Sequence, residues 1–102
     1  MEKRALGRTG LNVAVVGFGA MPIGGIYGPV DDAVSTKALH AAIDAGMNFI
    51  DTSDAYGAGH SERVVGAFLK ERVDRDQIIV CTKGGNNMVT GCLLYTSDAA
   101  DE

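Results

Sequence analysis

The chain has 102 residues, of which 46% are hydrophobic and 22% charged, a composition that is typical of one modest globular domain and excludes a disordered tail. The net charge of −4 argues against nucleic acid or an anionic membrane as a partner, and no apolar run approaches the length that crosses a bilayer. Cys81 and Cys92 are too few for a disulfide framework, so we expect two reduced thiols in a cytoplasmic protein.

The first predicted elements are a small β-hairpin and a buried strand. Segments 3–6 and 11–13 flank the turn 7–10, which has a glycine at each end. The β-branched run 13–18 then predicts a buried strand that enters a loop. Residues 20–29 are rich in glycine and proline, a composition that we expect to exclude helix and to let the backbone approach a ligand.

Two helices are predicted next, each followed by a short buried strand. Asp31 or Asp32 can cap the first helix and Gly46 can end it, whereas Ser61 can cap the second. The expected apolar positions are Val34, Ala38, Leu39, Ala42 and Ile43 in the first helix, and Val64, Val65, Phe68 and Leu69 in the second. The strands that follow these helices are 49–50, which stops at Asp51, and 78–82.

This alternation of strands and helices predicts an α/β fold with parallel strands and right-handed crossovers. Both an open doubly wound sheet and a closed (β/α)₈ barrel use this unit. A barrel typically needs about 250 residues, so the chain would hold three of the eight strands. Because such a piece leaves strand edges unpaired, we expect that the isolated chain is not a stable two-state domain.

The loop 17–22 has two glycines after a strand, as dinucleotide-binding turns do. Pro22 stands where that fingerprint needs a third small residue, and no helix opens directly after it. We therefore interpret the loop as a tight turn beside a ligand rather than as a Rossmann turn.

Three polar residues are predicted to meet at one end of the sheet. Asp51 and Lys83 each follow a buried strand, and the carboxyl ends of parallel strands share one edge, where ligands bind. If the two strands are neighbours, about 4.8 Å apart, the acid and the lysine form an ion pair. Tyr56, five residues beyond Asp51, can reach the same place.

This trio predicts proton transfer to or from an oxygen. A tyrosine ordinarily has a pKa of about 10, and a neighbouring ammonium favours the phenolate form. Asp51 would keep Lys83 charged and oriented, and Tyr56 would then act as a general acid for a carbonyl or a base for an alcohol. A structural ion pair with a tyrosine packed on a loop remains the alternative.

Several separated motifs occur in an order and at a spacing that resemble a known family. They are 6–11 (LGRTGL), 17–21 (GFGAM), 49–52 (FIDT), 56–57 (YG), 61–62 (SE) and 82–83 (TK). Together they resemble the N-terminal part of the aldo-keto reductase superfamily. The resemblance implies a (β/α)₈ TIM barrel plugged at the bottom by an N-terminal hairpin, of which this chain would contain the hairpin, three strands and two helices. It also implies NADPH- or NADH-dependent reduction of a small aldehyde or ketone to an alcohol.

The resemblance also implies roles for individual residues. Asp51, Tyr56 and Lys83 match three members of the family's catalytic tetrad, with Tyr56 as the proton donor. The cofactor-binding residues that it implies are Gly19, Ala20, Met21 and Asp51. No metal is implied.

The fourth member of the tetrad, a histidine at the end of the fourth strand, has no match in this chain. His40 and His60 stand at other positions, and we expect them to be solvated or packed, with a substrate contact as the alternative for His60. The resemblance therefore implies that the chain as given binds nucleotide poorly and does not turn over. Two other functions stay open: a regulatory subunit of a potassium channel that binds the cofactor as a sensor, and a lyase barrel with a Schiff-base lysine.

Residues 92–102 break the pattern of strands and helices. Their sequence, CLLYTSDAADE, looks like the translation of a transposase-type adapter used to build sequencing libraries, and a genuine acidic tail is the alternative. We therefore expect the domain to be 1–91, followed by a non-native tail in which Cys92 and Tyr95 have no function.

Overall fold

The chain begins with the predicted hairpin. In the computed structural model, which describes residues 1–85, β1 (Lys3–Ala5) pairs antiparallel with β2 (Asn12–Ala14). The Leu6 N–H donates to the Leu11 carbonyl at 2.8 Å, and the Thr9 hydroxyl donates to the Leu6 carbonyl at 2.6 Å. These two bonds close the turn that the paired glycines predict.

The single strand predicted over 13–18 is wrong, because the chain bends in the middle of that run. The Val15 N–H still belongs to the hairpin and donates to the Glu2 carbonyl at 3.0 Å. The next strand, β3 (Phe18–Gly19), starts only after the bend. Val15 and Val16 are 47% and 49% exposed, so the β-branched run marks two short strands rather than one buried strand.

The prediction that residues 20–29 contain no helix is also wrong. Met21–Gly24 forms a 3₁₀ turn that begins after Ala20 and ends at Gly25, whose φ of 87° is left-handed. Proline is tolerated in the first turn of a helix, where the missing N–H has no acceptor, and Pro22 occupies such a position. The glycine after the turn then lets the chain change direction.

The first helix, α1, spans Asp32–Asp44 and has the predicted cap. The Asp31 carboxylate accepts a hydrogen bond from the Ala33 N–H at 2.8 Å, and Gly46 follows the last turn with a φ of 108°. The predicted apolar face is confirmed at Leu39, Ala42 and Ile43, which are buried. It is wrong at Val34, which is 61% exposed, and at Ala38, which is also exposed. The buried face of the helix therefore runs through Ser35, Leu39, Ala42 and Ile43.

The remaining elements build a parallel sheet, as predicted. They are β4 (Phe49–Asp51), α2 (His60–Lys70), a 3₁₀ turn (Arg75–Gln77) and β5 (Ile79–Cys81). The strand order is β3-β4-β5, all parallel, and Asp51 lies opposite both Gly19 and Cys81. Within residues 1–85 the sheet is open, with three strands and two α-helices.

The hydrophobic core lies between this sheet and the two helices. Its buried members are Ala20, Ile23, Leu39, Ile43, Ile50, Val64, Val65, Phe68 and Ile78. Phe68 of α2 and Ile50 of β4 are fully buried, which contributes roughly 1.5–3 kcal/mol of transfer free energy for each side chain. Because both helices pack on one face of the sheet, they fix the positions of the carboxyl ends of the strands. The positions of the loops that follow the strands are fixed as a consequence.

An arginine joins the C-terminal ends of the two helices. The Arg72 guanidinium donates to the Asp44 carboxylate at 2.9 Å and binds the Asp74 carboxylate through two bonds of 2.9 Å. The hydrogen bonds from Arg72 lower the pKa of Asp74 below its usual value. The ring of His40 contacts the same arginine at 3.2 Å and packs edge-on against Phe68, so this histidine is packed, as one of the two predicted outcomes states.

No helix within residues 1–85 combines the length and the apolar character needed to cross a membrane. The predicted tail, 92–102, and the predicted domain end at residue 91 lie outside the described residues.

Candidate functional site

The three residues predicted to meet do so at the carboxyl end of the sheet. Lys83 Nζ lies 2.7 Å from Asp51 Oδ1 and 3.3 Å from Tyr56 Oη. It also donates to the Thr52 carbonyl at 2.9 Å. Lys83 follows β5 and Asp51 ends β4, so the parallel register of these neighbouring strands brings the two charges together. Tyr56 reaches them from the loop between β4 and α2.

All three hydrogens of the Lys83 ammonium have an acceptor in this arrangement. Since the Tyr56 oxygen accepts from Lys83, its own hydrogen is left to donate in another direction. Lys83 Nζ also lies 5.1 Å from the centre of the Tyr56 ring, within the range of a cation–π contact. The geometry therefore presents a phenol O–H beside a fixed positive charge.

The pKa of Lys83 is raised above its ordinary value of 10.5, chiefly because Asp51 accepts a hydrogen bond from the ammonium. Partial burial opposes this shift, and the hydrogen bond to Tyr56 adds to it. Lys83 is therefore a cation at neutral pH. The Lys83 and Asp51 side chains are 47% and 44% exposed, so water screens their attraction and the pair contributes modestly to stability.

The loop after β3 lies next to this trio, and its three predicted cofactor residues differ in what they can contact. Gly19 is exposed, and a Cβ placed on it would meet no atom within 4 Å. Ala20 is fully buried, and its N–H donates to the Asp51 carbonyl at 2.9 Å. Met21 is half-buried at the start of the 3₁₀ turn. Gly19 and Met21 are thus open to a ligand, whereas Ala20 ties the loop to β4.

A cavity of about 330 Å³ opens beside the Tyr56 ring. Its walls come from the loop after β3 and the loop between β4 and α2. The lining residues are Met21, Gly24, Gly25, Ile26, Ala55, Tyr56 and Gly57. The residues are mostly small or apolar, with the phenol as the polar group. Small-molecule sites have this character, a mostly apolar concavity with few polar groups.

The loop after β3 and the loop between β4 and α2 touch at Gly24 and Gly57, a contact that the sequence did not predict. A Cβ on Gly24 would lie 2.5 Å from Gly57 N and 2.6 Å from the carbonyl carbon of Tyr56. Gly57 itself has a φ of 65°, which favours glycine. The density of glycine in both loops was the available signal, but only the fold shows which glycines meet.

Ser61 was predicted to cap the second helix, and this prediction is wrong. The helix begins at His60, and Gly59 occupies the cap position with a left-handed φ of 95°. Ser61 lies in the first turn and is fully buried, with its hydroxyl oxygen 2.8 Å from Thr52 Oγ1. The serine hydroxyl is directed to the interior because Thr52 and the Ala20 carbonyl offer it partners there.

His60 does not join the trio. Its Nε2 lies 2.7 Å from Asp32 Oδ1 at the start of α1, and the side chain is 38% exposed. It therefore links the beginnings of the two helices. Among residues 1–85, no group of three or more His, Cys, Asp or Glu side chains is arranged to hold a metal ion.

The described residues fit one edge of a nicotinamide cofactor. Gly19 is exposed and a Cβ placed on it would meet no atom within 4 Å, so there is open space beside this residue for part of a ligand. The Tyr56 hydroxyl and the Lys83 ammonium stand at the same end of the sheet, and the cavity beside Tyr56 can take a small organic molecule.

Comparisons with known proteins point in one direction. Residues 15–98 match the sequence model of the aldo/keto reductase family. The chain is 51% identical over 88 residues to L-galactose dehydrogenase of Arabidopsis thaliana, covering 83% of this chain and 27% of that protein. It is 42% identical over 87 residues to pyridoxal 4-dehydrogenase of Microbacterium luteolum, covering 85% of this chain and 25% of that protein.

A solved structure agrees with these sequence matches. The holo form of the aldo-keto reductase AKR11C1 from Bacillus halodurans superposes with a TM-score of 0.74 at 37% identity. The superposition covers 85% of this chain and 27% of that structure. The chain spans about a quarter of the length of the curated relatives that it matches.

Proposed function

The chain belongs to the aldo/keto reductase family, and on this basis we propose that it forms part of an NAD(P)H-dependent oxidoreductase that reduces small aldehydes or ketones to alcohols. The names of its relatives support a dehydrogenase or reductase, and one of them, from Schizosaccharomyces pombe, is called an NADP(+) enzyme. The proposed cofactor is NADPH or NADH.

A single observation carries this proposal: Lys83 Nζ bridges Asp51 and Tyr56. In our proposal Asp51 orients the lysine, the Lys83 ammonium donates a hydrogen bond to the Tyr56 oxygen, and Tyr56 delivers its own proton to the carbonyl oxygen as that oxygen becomes an alkoxide. In the reverse direction the same oxygen would accept the proton of an alcohol.

The open backbone at Gly19 and the half-buried Met21 would hold one side of the nicotinamide, and Asp51 would lie next to it. A bound nicotinamide cofactor would supply the hydride for the carbonyl carbon. The apolar walls beside Tyr56 would exclude water from the carbonyl, which strengthens the hydrogen bond that the phenol donates.

The test is a Tyr56→Phe substitution in the complete protein, expressed from an uninterrupted reading frame. We expect kcat for carbonyl reduction to fall by about 10²- to 10⁴-fold, the range for loss of a general acid, while NADPH binding measured by fluorescence is unchanged. Tyr27→Phe is the matched control, because Tyr27 is 74% exposed and lies outside the cavity walls. A Tyr56→Phe protein with the wild-type kcat would refute the role of Tyr56.

A Schiff-base lyase is less well supported. Schiff-base formation needs a neutral amine, whereas the hydrogen bonds to Asp51 and Tyr56 raise the pKa of Lys83 and use its hydrogens. Treatment of the complete protein with borohydride and a carbonyl substrate distinguishes the two chemistries. A covalent adduct on Lys83 would favour the lyase.

We further propose that the native domain within this chain ends at residue 91, although the match to the family model runs on to residue 98. We also propose that the 102-residue chain alone neither binds NADPH stoichiometrically nor turns over. Its composition and its few cysteines support a cytoplasmic location for the complete protein. Resequencing the locus from an independent library tests the boundary, since genomic codons for 92–102 would show that the tail is native.

A further inference from the structure

Ser61 connects three segments of the candidate site. Its side chain is fully buried, and its Oγ lies 2.8 Å from Thr52 Oγ1 and 3.4 Å from the Ala20 carbonyl oxygen. Its backbone N–H donates to the Tyr56 carbonyl at 3.1 Å. One residue of α2 thus touches the end of β4, the loop after β3 and the loop that carries Tyr56.

The directions of these hydrogen bonds follow from the number of hydrogens available. The Ser61 hydroxyl has one hydrogen, and the Ala20 carbonyl can only accept, so Ser61 donates to Ala20. In the 2.8 Å contact either hydroxyl can be the donor, and Thr52 is the donor whenever Ser61 donates to Ala20. Thr52 is 1% exposed, so water does not compete for this bond.

These contacts close a ring of hydrogen bonds around the proton donor. Lys83 Nζ donates to the Thr52 carbonyl at 2.9 Å, and the Thr52 side chain binds Ser61. Ser61 holds the Tyr56 backbone, and Lys83 contacts the Tyr56 hydroxyl at 3.3 Å. Thr52 and Tyr56 are each held at two points, on the backbone and on the side chain. The two hydroxyls are the buried part of this ring, because Thr52 is 1% exposed and Ser61 0%, whereas the Lys83 side chain is 47% exposed.

We propose that Thr52 and Ser61 are positioning residues. The hydrogen bond between their hydroxyls keeps the Tyr56 hydroxyl within hydrogen-bonding distance of Lys83 Nζ. The proposal rests on the proposed function, because it concerns how that proton donor is aligned. Alignment matters because displacing a reacting group by about 1 Å can cost about 100-fold in rate. The cost appears in kcat rather than in binding, since the proton is transferred only in the transition state.

The test compares variants of the complete protein that differ in one hydroxyl. Thr52→Val keeps the shape of the side chain and removes the hydroxyl, whereas Thr52→Ser keeps the hydroxyl. We expect Thr52→Val and Ser61→Ala each to lower kcat by about 10- to 100-fold with a nearly unchanged KM for NADPH. We expect Thr52→Ser to retain kcat within about 3-fold. The double variant should be hardly worse than either single one, because both remove the same bond.

Ser35→Ala is the control for simple destabilisation, because Ser35 is buried at 5% exposure in α1 and lies outside the ring. An equal loss of kcat in Ser35→Ala or in Thr52→Ser would overturn the proposal. So would a wild-type kcat in Thr52→Val while Tyr56→Phe is inactive, a result that leaves the proposed function intact.

A crystal structure of the Thr52→Val protein tests the positioning role without any assay. A Tyr56 hydroxyl beyond hydrogen-bonding distance of Lys83 supports the proposal even if the wild-type protein reduces no carbonyl. An unchanged contact of Tyr56 with Lys83 overturns it.

Discussion

At the scale of single residues, the chemistry of the site depends on how the lysine's hydrogens are used. Lys83 gives one hydrogen each to Asp51, to the Thr52 carbonyl and to Tyr56. A fixed ammonium of this kind acts as a point charge beside the phenol rather than as a nucleophile, because a protonated amine has no free electron pair. The residue type explains the positive charge of Lys83, and the three acceptors explain the orientation of its ammonium group.

The first prediction concerns the pKa of Lys83. Asp51→Asn removes the main cause of its elevation, so we expect the pKa to fall toward or below its ordinary value in the complete protein. An NMR titration of the Lys83 side chain measures this change. Asp76→Asn is the control, since it removes a carboxylate from the 3₁₀ turn Arg75–Gln77, away from the site. An unchanged Lys83 pKa in Asp51→Asn would contradict the prediction.

The same shift has a consequence for stability. A lysine with a raised pKa in the folded state stabilises the protein fully below its unfolded value of 10.5, and this contribution is lost as the pH rises through the folded-state value. Wild-type stability should therefore fall more steeply above pH 10.5 than the stability of Asp51→Asn. Urea unfolding at a series of pH values measures the difference.

At the scale of elements, the site depends on two loops that meet without side chains between them. The loop after β3 and the loop after β4 approach at Gly24 and Gly57, so closely that the backbones are in contact. This contact fixes the position of Tyr56 relative to the carboxyl ends of the strands. It also forms the cavity beside the Tyr56 ring. Glycine is needed at the contact because of space, and at Gly57 also because of its positive φ.

The second prediction concerns this contact. Gly24→Ala places a methyl group 2.5 Å from Gly57 N, so the peptide that follows Tyr56 must shift. We expect kcat of the complete protein to fall by about 100-fold, and the free energy of unfolding to fall by about 1–3 kcal/mol. Steady-state kinetics and urea unfolding measure the two effects.

Gly66→Ala is the control for Gly24→Ala. Gly66 lies within α2, and a Cβ there would meet no atom within 4 Å. Alanine should stabilise the helix by about 0.5–1 kcal/mol and leave kcat unchanged. A Gly24→Ala protein that behaves like Gly66→Ala would show that the loop contact is not required.

At the scale of the whole molecule, the described part of the chain is an open arrangement. β3 and β5 each have one unpaired edge within residues 1–85, and several large apolar side chains on the surface are about half exposed, such as Val15 and Val16. Unpaired edges and uncovered apolar surface favour association with another strand or chain over an isolated folded state.

The third prediction follows for the 102-residue polypeptide. At micromolar concentration we expect no cooperative thermal transition by circular dichroism, because the three-stranded sheet within residues 1–85, with two open edges, buries too little surface to offset the loss of chain entropy. The complete protein is the control and should melt cooperatively. A single sharp transition of the 102-residue chain would show that the expectation is wrong.

Much of this structure could be predicted from local signals in the sequence. The hairpin, the cap at Asp31 and the parallel order of the strands follow from turn residues, capping chemistry and the alternation of strands with helices. The ion pair of Asp51 with Lys83 could also be predicted, because side chains alternate along a strand and the carboxyl ends of parallel strands lie at the same edge of the sheet.

Other features could be decided only by the tertiary structure. The bend at Val15 and the buried position of Ser61 depend on partners distant in sequence, Glu2 for the first and Thr52 and Ala20 for the second. Residue type and spacing therefore determined which groups gather at the end of the sheet. The packing of the loops decided how these groups are held, because a hydroxyl or a glycine acquires its role from the atoms that the fold brings against it.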